Sequence, residues 1–83
     1  MTLVYFAWVR ERIGKRFEQR DLPADVRTVG ELMDWLKGQG AGYAAAFADD
    51  SVIQAALDYV HAPKDASLEN VREVAFFPPV SGG

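Results

Sequence analysis

The sequence contains no cysteine, a single histidine and no long apolar run. Without cysteine the chain cannot form a disulfide or a thiolate metal site, which is compatible with a reducing compartment. No stretch approaches the ~20 apolar residues of a membrane span. The apolar beginning is interrupted by Arg10, Glu11 and Arg12, so it is too short for a signal peptide. We therefore expect a small cytoplasmic protein that does not bind membranes.

The charges are unevenly distributed along the chain. The formal net charge is −3, yet residues 1–30 contain six Lys/Arg against four Asp/Glu, whereas residues 31–83 contain three against eight. The acidic balance argues against general nucleic-acid binding, which depends on attraction to phosphate. A basic patch is nevertheless predicted in the first part of the chain, either solvated or docked on an acidic partner. It comprises Arg10, Arg12, Lys15, Arg16 and Arg20.

No group of residues forms a recognisable active site on its own. His61 has no cysteine or second histidine with which to bind a metal, so a surface role is expected for it. Asp49-Asp50 is typical of a turn, and no P-loop, dinucleotide motif or Ser-His-Asp set occurs. Any chemistry in which the chain takes part is therefore expected to require a second polypeptide.

The first half of the chain predicts two strands and one helix. Leu3–Val9 is rich in β-branched and aromatic residues and predicts a strand. After a turn at Gly14, the weaker alternation of Arg16–Leu22 predicts a more exposed second strand. Thr28-Val29-Gly30-Glu31 is a capping box, and apolar residues follow it at i, i+3, i+4 and i+7. This pattern predicts a helix that ends at Gly38.

The second half predicts a short helix and two further strands. Gly42–Ala48 is rich in alanine and favours one or two helical turns. The spacing in Val52–Val60 fits either a helix or a strand, and we predict a strand over residues 53–60 because a small sheet needs it. Residues 62–70 are expected to form a loop. Glu73–Phe77 predicts the last strand, which Pro78 ends because proline cannot donate a ladder hydrogen bond.

Together these elements predict an α+β fold. The first and last strands are the most apolar, so we expect them side by side in the middle of a mixed sheet, with the main helix across one face. This arrangement is the β-grasp, or ubiquitin-like, roll. Residues 1–77 would form the domain and residues 78–83 an extended tail.

The tail is the most informative segment. Pro78-Pro79 favours a stiff, extended path, whereas Gly82-Gly83 adds little bulk and bends freely. Extended, six residues reach roughly 20 Å, enough to place the Gly83 carboxylate inside a partner. Phe76 and Phe77 are expected on opposite faces of their strand, one in the core and the other exposed, covered by the helix or buried by a partner. A frayed terminus is the alternative.

The chain resembles the ubiquitin-like sulfur carriers that form the small subunit of molybdopterin synthase. The resemblance rests on Leu3–Glu11 with Gly14, on Thr28-Val29-Gly30-Glu31-Leu32, and on the closing segment Glu73–Gly83. In two places the sequence departs from the family pattern. Asn70-Val71-Arg72 stands where an acidic-Gly-acidic turn is frequent, and Asp58 stands where asparagine is common. Asn70 still tolerates a left-handed turn.

The resemblance implies a sulfur-transfer cycle. A ubiquitin-activating-like adenylyltransferase would use ATP to adenylate the carboxylate of Gly83, and a sulfur donor protein would convert the product to a thiocarboxylate. The chain would then dock on a large catalytic subunit, as part of a heterotetramer, and give its sulfur to cyclic pyranopterin monophosphate. The chain itself would bind no permanent cofactor, and the active site would lie on the large subunit.

The resemblance also assigns roles within the tail. Gly83 would carry the adenylate and then the sulfur, and Gly82 would give clearance in a narrow channel. The docking residues would be Phe76, Phe77, Pro78, Pro79, Val80 and Ser81. Three other functions stay open: the sulfur carrier of thiamine biosynthesis, a ubiquitin-like modifier joined to protein lysines, and a β-grasp interaction module with an inert tail.

Overall fold

The computed structural model describes residues 1–79. The strands are β1 Thr2–Tyr5, β2 Phe17–Gln19, β3 Gln54–Leu57, β4 Val60–Ala62 and β5 Glu73–Phe77. The helices are α1 Ala7–Ile13, α2 Val29–Lys37 and α3 Ala41–Ala46, and one 3₁₀ turn spans Asp50–Val52. The α+β class predicted from the sequence is confirmed.

The strands form one mixed sheet in the order β2-β1-β5-β3-β4. β1 and β5 run parallel in the centre, with Tyr5 beside Phe76, and the other neighbouring strands are antiparallel. The predicted pairing of the first and last strands is therefore confirmed. Because β5 is hydrogen-bonded on both sides, the sheet fixes the position at which the chain leaves it.

The core lies between the sheet and the helices. Alternate residues of the two central strands, Leu3 and Tyr5 on β1 and Val74 and Phe76 on β5, are almost completely buried. The other large side chains that are fully buried are Val9, Val29, Leu32, Met33, Leu36 and Phe47. The helices thus cover one face of the sheet and leave the other free of the main core.

Helix α2 begins at the predicted capping box. The Glu31 amide donates to Thr28 Oγ1 over 3.2 Å, and the Thr28 amide donates to Glu31 Oε1 over 3.1 Å. These two bonds satisfy amides that the first helical turn leaves without intrahelical partners. The helix ends at Lys37, immediately before Gly38, as the sequence predicts.

The predicted strand Leu3–Val9 is wrong beyond Tyr5. Phe6 is extended and Ala7 opens helix α1, which ends at Gly14 with a left-handed φ of 85°. The segment supports a helix because Val9 is buried and Ile13, four residues later, packs on the same core. The apolar run therefore fits either period, and only its packing at the end of the sheet selects the helix.

The predicted strand over residues 53–60 is confirmed over β3 and wrong beyond Leu57, where the chain turns back into β4 and forms a hairpin. Leu57 pairs with Val60, which leaves a two-residue loop at Asp58 and Tyr59. Both loop residues have positive φ, 48° and 73°, as a type I′ turn requires. The sequence concealed the turn because Asn or Gly usually occupies these positions.

The predicted short helix after α2 is confirmed as α3, which packs closely on α1. A Cβ added to Gly42 would lie 2.5 Å from the carbonyl oxygen of Arg12. This distance is shorter than any normal contact, so only glycine lets the backbones of α1 and α3 approach this closely.

Candidate functional site

The candidate site lies at the carboxyl end of β5, where the chain leaves the centre of the sheet. The Phe6 amide donates to the Phe76 carbonyl over 3.0 Å, and Phe77 pairs with Gln54 of β3. The segment that follows, Pro78-Pro79, lacks amide donors and cannot extend the ladder. The strand is thus held on both sides up to Phe76 and on the β3 side up to Phe77, where regular pairing ends.

Phe76 belongs to the core. Its side chain is completely buried, stacks on Tyr5 at a centroid distance of 6.3 Å and meets Phe47 edge-on at 5.1 Å. Such aromatic pairs stabilise a core beyond the area they bury. Of the residues predicted to dock, Phe76 therefore lies in the core, where its side chain fixes the end of β5.

Phe77 points to the opposite face, in agreement with the alternation predicted for the two aromatic residues. It is half-buried, and its ring centroid lies 6.3 Å from that of His61 on β4. His61 is exposed, as expected, and its Nε2 lies 2.7 Å from Gln54 Oε1. Pro78 is half-buried and Pro79 is exposed. Phe77 and the two prolines are therefore available at the root of the tail.

We call the sheet face that bears Phe77 the open face. The strand register places one row of side chains across it, Phe17, Val4, Ala75, Ala56 and His61. The central alanine is buried between its neighbours, whereas Phe17 and His61 at the two edges are exposed. The middle of this row is therefore apolar and formed by small side chains, which suits a protruding element of another protein. The polar residues Gln54 and Glu73 lie on the same face.

The beginning of β5 is fixed by the β3–β4 turn. Asp58 accepts hydrogen bonds from the amides of Arg72 and Glu73, at 3.0 and 2.9 Å. Asn70, just upstream, has a φ of 64°, the left-handed conformation that the sequence allowed for it. Although the sequence departs from the family pattern at two places, the hydrogen bonds of this turn are therefore formed. The sequence did not reveal that Asp58 binds β5.

A partly buried carboxylate, that of Glu18 on β2, joins the sheet to helix α3. Glu18 Oε2 accepts from the hydroxyls of Tyr5 and Tyr43 at 2.7 and 2.6 Å, and Oε1 accepts from Lys15 and Arg20 at 3.2 and 3.3 Å. Burial alone would raise the pKa of Glu18, but these hydrogen bonds outweigh it and hold the pKa below its ordinary value. Burial and the bond to Glu18 raise the pKa of Tyr5.

The predicted basic patch is divided by the fold. Lys15 and Arg20 both bind Glu18, and the Arg20 guanidinium also lies 4.8 Å from the Trp35 ring centroid. The Arg12 guanidinium stacks over Trp8 at 4.3 Å. Arg10 and Arg16 lie together instead, in a cleft beside Phe6 and Phe17. Trp8 and Trp35 both pack against the core.

Four of the predicted site residues lie outside the described part of the chain, namely Val80, Ser81, Gly82 and Gly83. Within residues 1–79, no three His, Cys, Asp or Glu side chains are grouped as metal ligands would be. No helix in the same range is long and apolar enough to cross a membrane.

Residues 3–83 match the model of the ThiS family, which covers nearly the whole chain. The chain belongs to the ThiS family. Two curated relatives of this ThiS-family chain are each named molybdopterin synthase sulfur carrier subunit. The protein of Escherichia coli is 36% identical and that of Haemophilus influenzae 30% identical, and each alignment covers 100% of this chain and 99% of the relative.

Solved structures show the same fold as this ThiS-family chain. The crystal structure of SAMP1 from Haloferax volcanii superposes with a TM-score of 0.73 at 30% identity, covering 100% of this chain and 98% of the other. A crystal structure of small archaeal modifier protein 1 from the same organism gives a TM-score of 0.71 at 28% identity, covering 96% and 97%. The ubiquitin-like β-grasp fold predicted from the sequence is confirmed.

Proposed function

We propose that this chain is the sulfur carrier subunit of molybdopterin synthase and contributes to molybdenum cofactor biosynthesis. The observation that carries the proposal is the full-length similarity to two subunits of that name. The geometry supports it, because the tail begins at a strand fixed on both sides and beside an apolar face. The body can therefore dock while residues 78–83 extend into a second protein.

The chemistry belongs to the Gly83 carboxylate. A carboxylate does not acylate until it is activated, so an adenylyltransferase would first join it to AMP from ATP and release pyrophosphate. A sulfur donor protein would then supply a sulfide-level sulfur that attacks the acyl carbon; the acyl–phosphate bond breaks, AMP leaves and a thiocarboxylate remains. Its sulfur is nucleophilic near neutral pH, and a tail held in place gains from proximity to the pyranopterin substrate. The remaining catalytic groups would come from the large subunit, so the chain donates sulfur without itself catalysing the transfer.

The residues at the root of the tail would provide docking. Phe77 lies on the open face next to Pro78 and Pro79, two residues beyond Ala75 in the row that crosses the sheet. Hot spots of protein interfaces are typically aromatic residues surrounded by weaker apolar contacts. Val80 and Ser81 would continue this contact into the channel of the large subunit, and Gly82 would pass its narrowest part.

The test is intact mass spectrometry of the native protein together with reconstituted synthase. A sulfur carrier shows a species about 16 Da heavier, because sulfur replaces one carboxylate oxygen. A variant that lacks Gly83 should neither gain this mass nor support formation of the dithiolene on the pyranopterin. The control is that the domain of this variant is folded like that of the unaltered chain. Full synthase turnover by a chain whose C-terminus is blocked by an amide would contradict the proposal.

A second function, protein modification, is favoured by the similarity to small archaeal modifier protein 1. Both functions begin with adenylation of the terminal glycine, so they differ only in the group that displaces AMP. A modifier would be recovered from cells joined through an amide to lysines of other proteins. Lysine-linked peptides ending in the chain's glycines would support modification, and the heavier free protein would support sulfur transfer.

A further inference from the structure

A cleft with both aromatic and cationic walls lies beside the root of the tail. Its volume is about 300 Å³, and its lining residues are Val4, Tyr5, Phe6, Arg10, Arg16 and Phe17. The two phenylalanines are unusually accessible for their size, at 48% for Phe6 and 65% for Phe17. Large aromatic side chains usually bury most of their surface, so two of them at one opening indicate a contact surface.

The backbone fixes this cleft close to the functional end of β5. The Tyr5 amide donates to the carbonyl of Arg16 at 2.9 Å, and the next amide, that of Phe6, donates to the carbonyl of Phe76 at 3.0 Å. Neighbouring strands lie about 4.8 Å apart. The cleft is therefore a single strand's width from the end of β5, and a protein that surrounds the tail there would also reach the cleft.

The two arginines of the cleft differ from the rest of the basic patch. Lys15 and Arg20 form ion pairs with Glu18, whereas Arg10 and Arg16 form none within residues 1–79. The cleft lining includes no carboxylate, although Glu11 lies exposed on the same helix. Two guanidinium groups beside exposed aromatic rings, in a chain with a net charge of −3, form a local positive site of the kind that binds carboxylates.

We propose that this cleft binds an acidic segment of the large catalytic subunit, with an apolar side chain between Phe6 and Phe17 and carboxylates on Arg10 and Arg16. The inference rests on the proposed function, since the large subunit is the protein that surrounds the tail. Protein carboxylates fit better than nucleic acid, because the chain as a whole repels polyanions. The cleft would guide the approach of the two proteins before the tail enters its channel.

The experiment measures the kinetics of binding between the full-length chain and the purified large subunit of the same cell, at about 50 and about 300 mM salt. The variants are Arg10→Glu, Arg16→Glu and the double reversal. Arg27→Glu is the matched control, since it makes the same charge change in a different cavity, lined by Met1 and Leu68. Thermal unfolding of each variant verifies that the domain is folded.

We expect the double reversal to lower the association rate constant about tenfold or more at low salt and by much less at high salt, while Arg27→Glu stays within about twofold of the unaltered chain. Equal association rates for the double reversal and the unaltered chain would overturn this inference alone. If even the unaltered chain fails to bind the large subunit, the proposed function fails as well.

Discussion

Phe76 and Phe77 are adjacent in β5 but belong to opposite faces of the sheet. Phe76 is fully buried against Tyr5 and Phe47, whereas Phe77 lies half-buried on the open face next to His61. One aromatic residue thus holds the strand in the core while the next is available to a partner. Substitution of each should therefore affect a different property.

Phe77→Ala should weaken binding to the large subunit and leave the domain folded. If Phe77 anchors the interface, the loss in binding free energy is about 2 kcal/mol or more, measured by titration calorimetry. Val52→Ala is the control, because Val52 is an exposed apolar residue in the 3₁₀ turn. Equal affinity of Phe77→Ala and the unaltered chain would remove Phe77 from the interface.

Phe76→Ala should instead reduce the stability of the domain. Removing a fully buried phenylalanine costs about 3–5 kcal/mol, through the lost transfer free energy and the cavity that remains. Urea denaturation followed by tryptophan fluorescence measures this loss. A decrease of less than about 1 kcal/mol would show that the ring does not support the core as the structure indicates.

Gly82→Ala should impair sulfur delivery much more than folding. In the proposed function the tail passes a narrow channel, so the variant would place a Cβ where there is little room, and a small misplacement of a reacting group can reduce the rate about 10²-fold. Single-turnover synthase assays with preformed thiocarboxylate measure the effect, and thermal unfolding provides the comparison. Turnover equal to that of the unaltered chain would show that the channel has room for a side chain.

Glu18→Gln should reduce the acid sensitivity of the fold. Because the folded-state pKa of Glu18 lies below the ordinary value of 4.5, its contribution to stability is fully present above pH 4.5 and is lost as pH falls through the lower folded value. The unaltered chain should therefore lose more of its melting temperature below pH 4.5 than Glu18→Gln does. Glu11→Gln, which alters an exposed carboxylate on α1, is the control. Parallel pH profiles for Glu18→Gln and the unaltered chain would contradict the assigned hydrogen-bond network.

Asp58→Ala should loosen the hairpin and the beginning of β5 together. The substitution removes the acceptor for two amides, those of Arg72 and Glu73, and we expect a loss of about 1–2 kcal/mol in unfolding free energy. Asp58→Asn retains an oxygen acceptor and tolerates positive φ, so it should retain most of the stability. Hydrogen exchange of the two amides provides a local measurement, and unchanged protection in Asp58→Ala would count against the assigned contact.

The sequence predicted the fold best where a local signal and the packing agree. The capping box at Thr28 and Glu31 defines α2 by adjacent residues alone, and Glu73–Phe77 forms the last strand within its predicted bounds. The central pairing of the first and last strands followed from their being the most apolar strands of the chain. These features could be predicted because each depends on neighbours in the sequence or on hydrophobicity.

The remaining features depend on contacts between distant residues. Ala7–Ile13 has an apolar pattern that suits a strand or a helix, and the packing of Val9 and Ile13 on the core decides between them. The turn at Asp58 is stabilised by amides of Arg72 and Glu73, fourteen and fifteen positions away. The sequence indicated only weakly that Phe17 lines the cleft. The one sign is that Phe17 is an aromatic residue on a strand that is otherwise charged and polar.

The parallel pairing of β1 with β5 also determines when the nascent chain can complete its fold. β1 leaves the ribosome early, but the strand that completes its hydrogen bonding is translated about seventy residues later. The nascent chain must therefore remain without its central pairing until β5 emerges. A chain interrupted before Phe76 would lack the middle of the sheet, so premature termination should yield products for degradation rather than folded carriers without a tail.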